Sequence, residues 1–257
     1  MKKALQLFLF LSVFNTCLGQ TNFGKPEVDP KVIQIKFSDW LAYQSNKIML
    51  SSDYFCLDFN AKIISKEAFL EALTTGKFIP IKLLSNNDTI YYQLFKINAK
   101  SDTSIKATIV QTAFDEKKNC EMEGTKFPDF SFMDLDENLI TNETLKGKII
   151  VIKCWYIHCA SCIKEFPSVN ALVEKYKNRN DIEFISLAED SPEQLKAFLI
   201  KKPLSYLVVP NMKKYMNETL QLNSFPTHFI VDKNGMILKV VSNFESLDTA
   251  LEKIVTK

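Results

Sequence analysis

Cys159 and Cys162 are the residues of this 257-residue chain whose types and spacing most directly imply chemistry. They stand where an apolar run, Ile149-Ile150-Val151-Ile152, passes through Trp155 into a helical pattern carried by Phe166, Val169, Leu172, Val173 and Tyr176. Cysteines three apart at a helix start lie on one face, within the few ångströms that a disulfide spans. The first sulfur also faces the unpaired amide N–H groups of the helix N-terminus, which favour its thiolate. Cys159 is therefore expected to attack, and Cys162, one turn inside, to resolve the mixed disulfide. Glu165 follows Cys162 by one further turn and can approach its sulfur. His158 either stabilises the Cys159 thiolate or sits exposed beside it.

Other uses of a cysteine pair fit less well. A structural zinc ion wants four ligands, and Cys-x-x-Cys supplies two; no second paired motif exists, so no metal is expected. Covalent haem needs histidine directly after the second cysteine, where Ile163 stands. A purely structural disulfide over so short a loop stabilises little. No cofactor is expected.

The elements around the pair read as α/β. A continuous apolar run at 149–152 marks a strand buried on both faces. Strands are expected at Ile182–Leu187 and Leu204–Val209. Ser191, Pro192 and Gln194 form a capping box that starts a helix between them. Lys213–Leu222 reads as helical. His228–Val231 and Met236–Val241 flank the turn Asp232-Lys233-Asn234-Gly235 as a hairpin, and a helix at Thr249–Val255 closes the chain. Lys153 reads as a snorkelling strand-end lysine, His228 as a satisfied packing residue, and Cys154 as a small buried hydrophobe.

Earlier residues read as a separate α+β module of unknown role, with the boundary near residue 120 at the polar run Asp115–Asn119. Ile33, Ile35 and Phe37 alternate as in a half-buried strand. Ser65 caps a helix over Lys66–Thr75 that ends at Gly76. Phe78–Leu84 and Thr89–Ile97 form a hairpin, and Ile105–Gln111 is expected as a further strand.

The start Met1-Lys2-Lys3, an apolar stretch to Phe14 and small residues around Cys17-Leu18-Gly19 describe a signal peptide over residues 1–19, leaving Gln20 first. Export to the periplasm or cell envelope is thus expected, with a lipoprotein acylated at Cys17 as the alternative. No later segment is long and apolar enough to span a bilayer. Losing the leader removes two lysines, which balances the 32 basic and 30 acidic residues of the chain. With Arg179 its only arginine, the chain shows no cationic footprint for nucleic acid. Six cysteines are too few to staple a scaffold of this length but enough for a redox site and one bridge. Cys56 with Cys120 is the pair expected to bridge after export, the alternative being two separate thiols.

From about Gly124 to Val255 the chain resembles the thioredoxin-like domain of exported bacterial TlpA/ResA-type proteins. Lys126-Phe127-Pro128-Asp129-Phe130-Ser131-Phe132 is similar to the segment that leads into such domains and into peroxiredoxins. Leu145 to Trp155 resembles the strand before the site, and Cys162-Ile163-Lys164-Glu165-Phe166-Pro167 the helix with its acid and kinking proline. Ser224-Phe225-Pro226-Thr227 resembles the loop whose proline is cis and faces the cysteines. The resemblance implies a thioredoxin-like central sheet flanked by helices and dithiol–disulfide exchange with protein partners, reduced in turn by an unknown upstream donor. It also implies that Glu165 deprotonates the resolving thiol, beside a surface formed by Trp155, His158, Pro226 and Thr227. Ala160-Ser161, His158 and Lys153 depart from the family's usual residues. Two rival functions remain: a peroxiredoxin-like peroxidase, whose Pro-x-x-x-Thr-x-x-Cys pattern is missing before Cys159, and a binding or assembly module with a locked disulfide.

Overall fold

A computed structural model describes residues 23–256. The leader expected over residues 1–19, with its cut at Gln20 and the alternative at Cys17, lies outside the described residues. Among the described residues, no helix is long and apolar enough to cross a membrane.

The first half is a small α+β unit. Its elements are β1 (Phe23–Pro26), α1 (Phe37–Lys47), β2 (Phe55–Leu57), β3 (Ile63–Ile64), α2 (Lys66–Thr74), β4 (Phe78–Ser85), β5 (Tyr91–Lys96) and α3 (Thr103–Met122). The strands form one sheet in the order β1-β4-β5-β2-β3. The expected helix at 66–75 and the β4–β5 hairpin are present; Ser65 Oγ caps α2 by accepting the Ala68 N–H. Two expectations fail. Residues 31–34 form a turn and Phe37 opens α1, so Ile33, Ile35 and Phe37 do not share a strand. Ile105–Gln111 lies inside the 20-residue α3, where Ile105, Ile109, Ala113 and Glu116 recur at helical spacing on its buried side. The polar run Asp115–Asn119 is thus helix rather than linker.

The second half holds β6 (Ser131–Met133), β7 (Leu139–Thr141), β8 (Ile149–Trp155), α4 (Ala160–Lys164), α5 (Phe166–Tyr176), β9 (Ile182–Ala188), α6 (Pro192–Leu199), β10 (Leu207–Val209), β11 (Thr227–Val231), β12 (Ile237–Val241) and α7 (Phe244–Val255). Lys213–Leu222 contributes a π-helical turn at Tyr215–Thr219. The main sheet runs β10-β9-β8-β11-β12, parallel through β10, β9 and β8, then antiparallel through β11 and β12. Every residue of β8 is buried because both faces are covered. Ile149 and Val151 pack with α5 and α7, while Ile150, Ile152 and Cys154 pack on the opposite face with Phe127, Phe132 and Met216. The capping box at Ser191 and Gln194 is formed as expected. This central sheet with helices on both sides is the thioredoxin-like arrangement anticipated for the second half.

The halves meet along α3. Gly124 N donates to Ile237 O at 2.8 Å and Phe127 N to Gly235 O at 2.8 Å, stitching the segment after α3 onto β12. Cys56 and Cys120 both pack on the first half's core but are free thiols, so the expected bridge does not form. Burial pushes Cys56 up to about 12 and also raises Cys120, which disfavours the thiolates that exchange would need.

Candidate active site

The strand β8 ends at Trp155, and four residues later Cys159 caps α4. Its sulfur accepts the Cys162 N–H at 3.2 Å, so a backbone donor already points at the atom expected to carry negative charge. Cys159 and Cys162 form a disulfide with Cα atoms 5.2 Å apart. Cys162 is wholly buried and Cys159 is 4 % exposed, so Cys159 is the less shielded of the two. The helix breaks at Glu165 and resumes as α5 with Pro167 in its first turn, at the kinking proline that the resemblance implied. Proline has no N–H to continue the ladder, which places the break there.

The loop that resembles the family's proline loop is where it was expected. The Phe225–Pro226 peptide is cis, and Ser161 Oγ donates to Phe225 O at 3.4 Å, joining that loop to the cysteine turn. Tyr156 and Phe225 pack edge to face at 5.6 Å, closing one flank. Thr227 is buried and turns its hydroxyl back to Ser224 O at 2.8 Å. Trp155 lies fully buried beneath the cysteines, edge-on to Phe166 at 5.0 Å, so it supports the site rather than lining it. His158 is exposed beside Cys159.

One helical turn beyond Cys162, at Glu165, the sheet register assembles a cluster that no local sequence pattern contains. Lys153 and His228 are Cα partners across β8 and β11, and side chains alternate with period two, so both point to the face where Glu165 ends α4. Lys153 Nζ meets Glu165 Oε2 at 2.6 Å, His228 Nε2 meets the same oxygen at 3.0 Å, and Phe244 N donates to Oε1 at 2.8 Å. Lys153 is fully buried and paired, not snorkelling, and His228 is buried as expected of a packing residue, its Nε2 satisfied by the acid. Burial alone would raise the Glu165 carboxyl; the hydrogen bonds and charges of His228 and Lys153 outweigh it, and the group falls to about 2. Burial and then the Lys153 charge pull His228 down to about 4 against the opposing pull of Glu165. Burial also lowers Lys153, again opposed by Glu165. Cys154, on the other face, is buried among hydrophobic side chains, as expected of a small hydrophobe.

Sequence reading also missed Asp190. Its Oδ2 accepts the Ile157 N–H at 2.8 Å, and its backbone oxygen accepts Asn211 N at 2.9 Å, so it ties the cysteine loop to the segment after β10. Its position two residues after a buried strand was the available signal. Among the described residues no cluster of three or more histidine, cysteine or acidic side chains is arranged to hold a metal ion.

A disulfide capping the first helix after the central strand of such a sheet, opposed by a proline loop, defines the thioredoxin-like thiol–disulfide oxidoreductases. A family model, the AhpC/TSA family, matches residues 124–240. The thiol-disulfide oxidoreductase ResA of a Bacillus cereus strain is 30% identical over 151 residues, spanning 57% of this chain and 86% of that protein. The chain belongs to the ResA-type thiol–disulfide oxidoreductases. The thioredoxin-like protein YneN of Bacillus subtilis (strain 168) is 28% identical over 126 residues, 48% of this chain and 74% of that protein. Among solved structures, the chain is similar to the thioredoxin domain of a thiol-disulfide oxidoreductase from Bacteroides vulgatus, with TM-score 0.48 and 23% identity over 52% of this chain and 97% of that one.

Proposed function

We infer that this protein reduces disulfides of partner proteins in the periplasm or cell envelope, working through Cys159 and Cys162. The observation that carries this reading is the unequal pair: a less shielded Cys159 whose sulfur accepts a backbone N–H, one turn before a fully buried Cys162. The Cys159 thiolate attacks one sulfur of a partner disulfide. That S–S bond breaks, a Cys159–partner bond forms, and the other partner sulfur leaves as thiolate. Cys162 then gives up its proton and attacks Cys159, expelling the second partner thiolate and leaving the Cys159–Cys162 disulfide. Two electrons pass to the partner, and an upstream dithiol restores the pair.

Glu165 is the group proposed to take the Cys162 proton. A carboxyl held near 2 is far from matched to a thiol, so its contribution belongs at or below the bottom of the usual range for general bases, which begins at about a hundredfold. Export rests on the basic, apolar and small-residue order of residues 1–19. A protein substrate is favoured over a small one by the setting: clefts of about 540 and 660 Å³ lie away from the cysteines, and half-buried Tyr156, Ile157 and Phe225 pack around the pair.

The test uses Cys162→Ser and Cys159→Ser in the chain's native host. The first variant should accumulate mixed disulfides through Cys159, and the second should trap none. Wild-type protein should reduce insulin. If neither variant traps a partner and insulin is untouched, the reading fails. Consumption of hydrogen peroxide faster than a disulfide would move it to the peroxidase class, and a disulfide that resists mild dithiothreitol would move it to the binding class.

A further inference from the structure

Between the two cysteines stand Ala160, which has no polar side-chain atom, and Ser161, which has one. The Ser161 hydroxyl lies 3.4 Å from Cys159 Sγ and 3.4 Å from the carbonyl oxygen of Phe225. A hydroxyl carries one proton and two lone pairs, so it donates to one of these acceptors at a time. Their ranking depends on the state of the sulfur. In the disulfide, Cys159 Sγ is a weak acceptor that already receives the Cys162 N–H, and the amide carbonyl is the better partner. In the dithiol state the sulfur of a Cys159 thiolate carries a full negative charge. A charge-assisted bond is roughly twice as strong as a neutral one, so the preference reverses.

We propose that Ser161 is a catalytic hydroxyl whose proton follows the charge on Cys159. It donates to the thiolate while the pair is reduced and to Phe225 O while the pair is oxidised. The reduced site thereby has a stabilised nucleophile and an open Phe225 carbonyl, free to accept an N–H from an extended partner chain. Oxidation re-engages that carbonyl and withdraws the acceptor from the departing product. With the disulfide formed, the Phe225 ring packs edge to face on Tyr156 at 5.6 Å, which anchors the residue that carries this carbonyl. The proposal rests on Cys159 being the attacking thiol.

The experiment titrates the reduced full chain by pH-dependent alkylation, resolved at Cys159 by peptide mass, in wild type, Ser161→Ala and Ser161→Thr. Loss of the hydroxyl should raise the Cys159 pKa by about one unit, whereas Ser161→Thr, which keeps it, should stay near wild type. At a pH below that pKa the tenfold loss of thiolate is partly offset by the greater nucleophilicity of a more basic sulfur. With a Brønsted coefficient of about 0.4–0.5, alkylation should slow by about threefold. A second readout is the carbonyl-¹³C resonance of Phe225, which should move on reduction in wild type and Ser161→Thr but not in Ser161→Ala. An unchanged Cys159 titration in Ser161→Ala overturns the proposal, as does a Phe225 resonance that responds equally in all three. Failure of wild type to reduce insulin would sink the functional reading while leaving this titration result standing, so the two are separable.

Discussion

Lys153 and Glu165 form a buried ion pair, Nζ to Oε2 2.6 Å, with the lysine wholly shielded from solvent and the acid one helical turn beyond Cys162. The pair occupies the gap between the central strand and the break that separates α4 from α5. Both groups must surrender hydration, and the same carboxylate is further satisfied by His228 and the Phe244 amide. The chain therefore keeps a fixed charge cluster one helical turn beyond its disulfide, with both oxygens of the acid bonded, instead of a lone buried acid.

Removing one member of such a cluster should be costly. Lys153→Met leaves a buried carboxylate supported only by His228 and one backbone N–H, and should lower stability by about 2–4 kcal/mol. Adding Glu165→Leu removes the stranded charge and should recover part of that loss. Urea titrations of the two variants decide the matter; a single variant as stable as wild type would show that the pair contributes nothing.

Acid should unfold the protein in two stages. His228 sits at about 4 in the fold and near 6.5 when exposed, so the unfolded chain binds an extra proton between those values. Stability should therefore decline as pH falls from about 6.5 to 4, by at most about 1.4 kcal/mol per pH unit for one proton. Glu165 sits at about 2 against an ordinary 4.5, so its contribution is present above 4.5 and lost as pH falls towards 2. Denaturation midpoints measured from pH 8 to 3 should show both slopes. His228→Gln should remove the upper slope and shrink the lower one, because His228 helps to hold the Glu165 carboxyl down; an upper slope that survives the substitution assigns it to another group.

The cysteine turn, the helix proline and the capping box were legible because each is a local pattern with one physical meaning. So was the buried strand ahead of Cys159, since only a strand covered on both faces reads as an unbroken apolar run. The α3 helix was misread because Ile105 to Gln111 is short and apolar enough to suit either structure; extending the window to Ala113 and Glu116 exposes the helical period. The charge cluster was illegible for a different reason. Lys153, Glu165 and His228 are separated by 12 and 63 residues, and only the β8–β11 register brings them together. No local spacing rule contains that information.

Asp190 should matter for reaction rate as well as for stability. Its carboxylate accepts the Ile157 N–H two residues before Cys159, fixing the loop from which the nucleophile projects. Asp190→Ala leaves that donor without a partner, a loss of about 1–2 kcal/mol, and should slow alkylation of Cys159. Asp190→Asn retains an acceptor oxygen and should restore both. If the asparagine variant behaves like the alanine variant, the charge rather than the hydrogen bond is what the loop requires.

Glu116 tests how the two halves are joined. It lies on α3 but is buried against the second half, where its Oε1 accepts the Ser242 hydroxyl at 2.6 Å. Two residues further on, Phe244 N donates to Glu165, so one short loop links the N-terminal half to the cluster one turn beyond the cysteines. The other oxygen, Oε2, has no hydrogen-bond partner among the described residues. Burial is the main cause that raises this carboxyl above its ordinary value. A raised carboxyl contributes stability that is fully present below its unfolded pKa and is lost as pH climbs through the folded one. As pH climbs through the folded value, the half-satisfied carboxylate therefore works increasingly against the fold. Glu116→Gln supplies a neutral oxygen to Ser242 without that charge, and should be more stable than wild type at pH 8 by about 1 kcal/mol. The advantage should shrink to nothing near pH 4, where wild type is protonated too. Glu116→Ala removes the acceptor altogether and should be less stable than Glu116→Gln at both pH values. A glutamine variant that loses stability at pH 8 would mean that the ionised carboxylate itself holds the halves together.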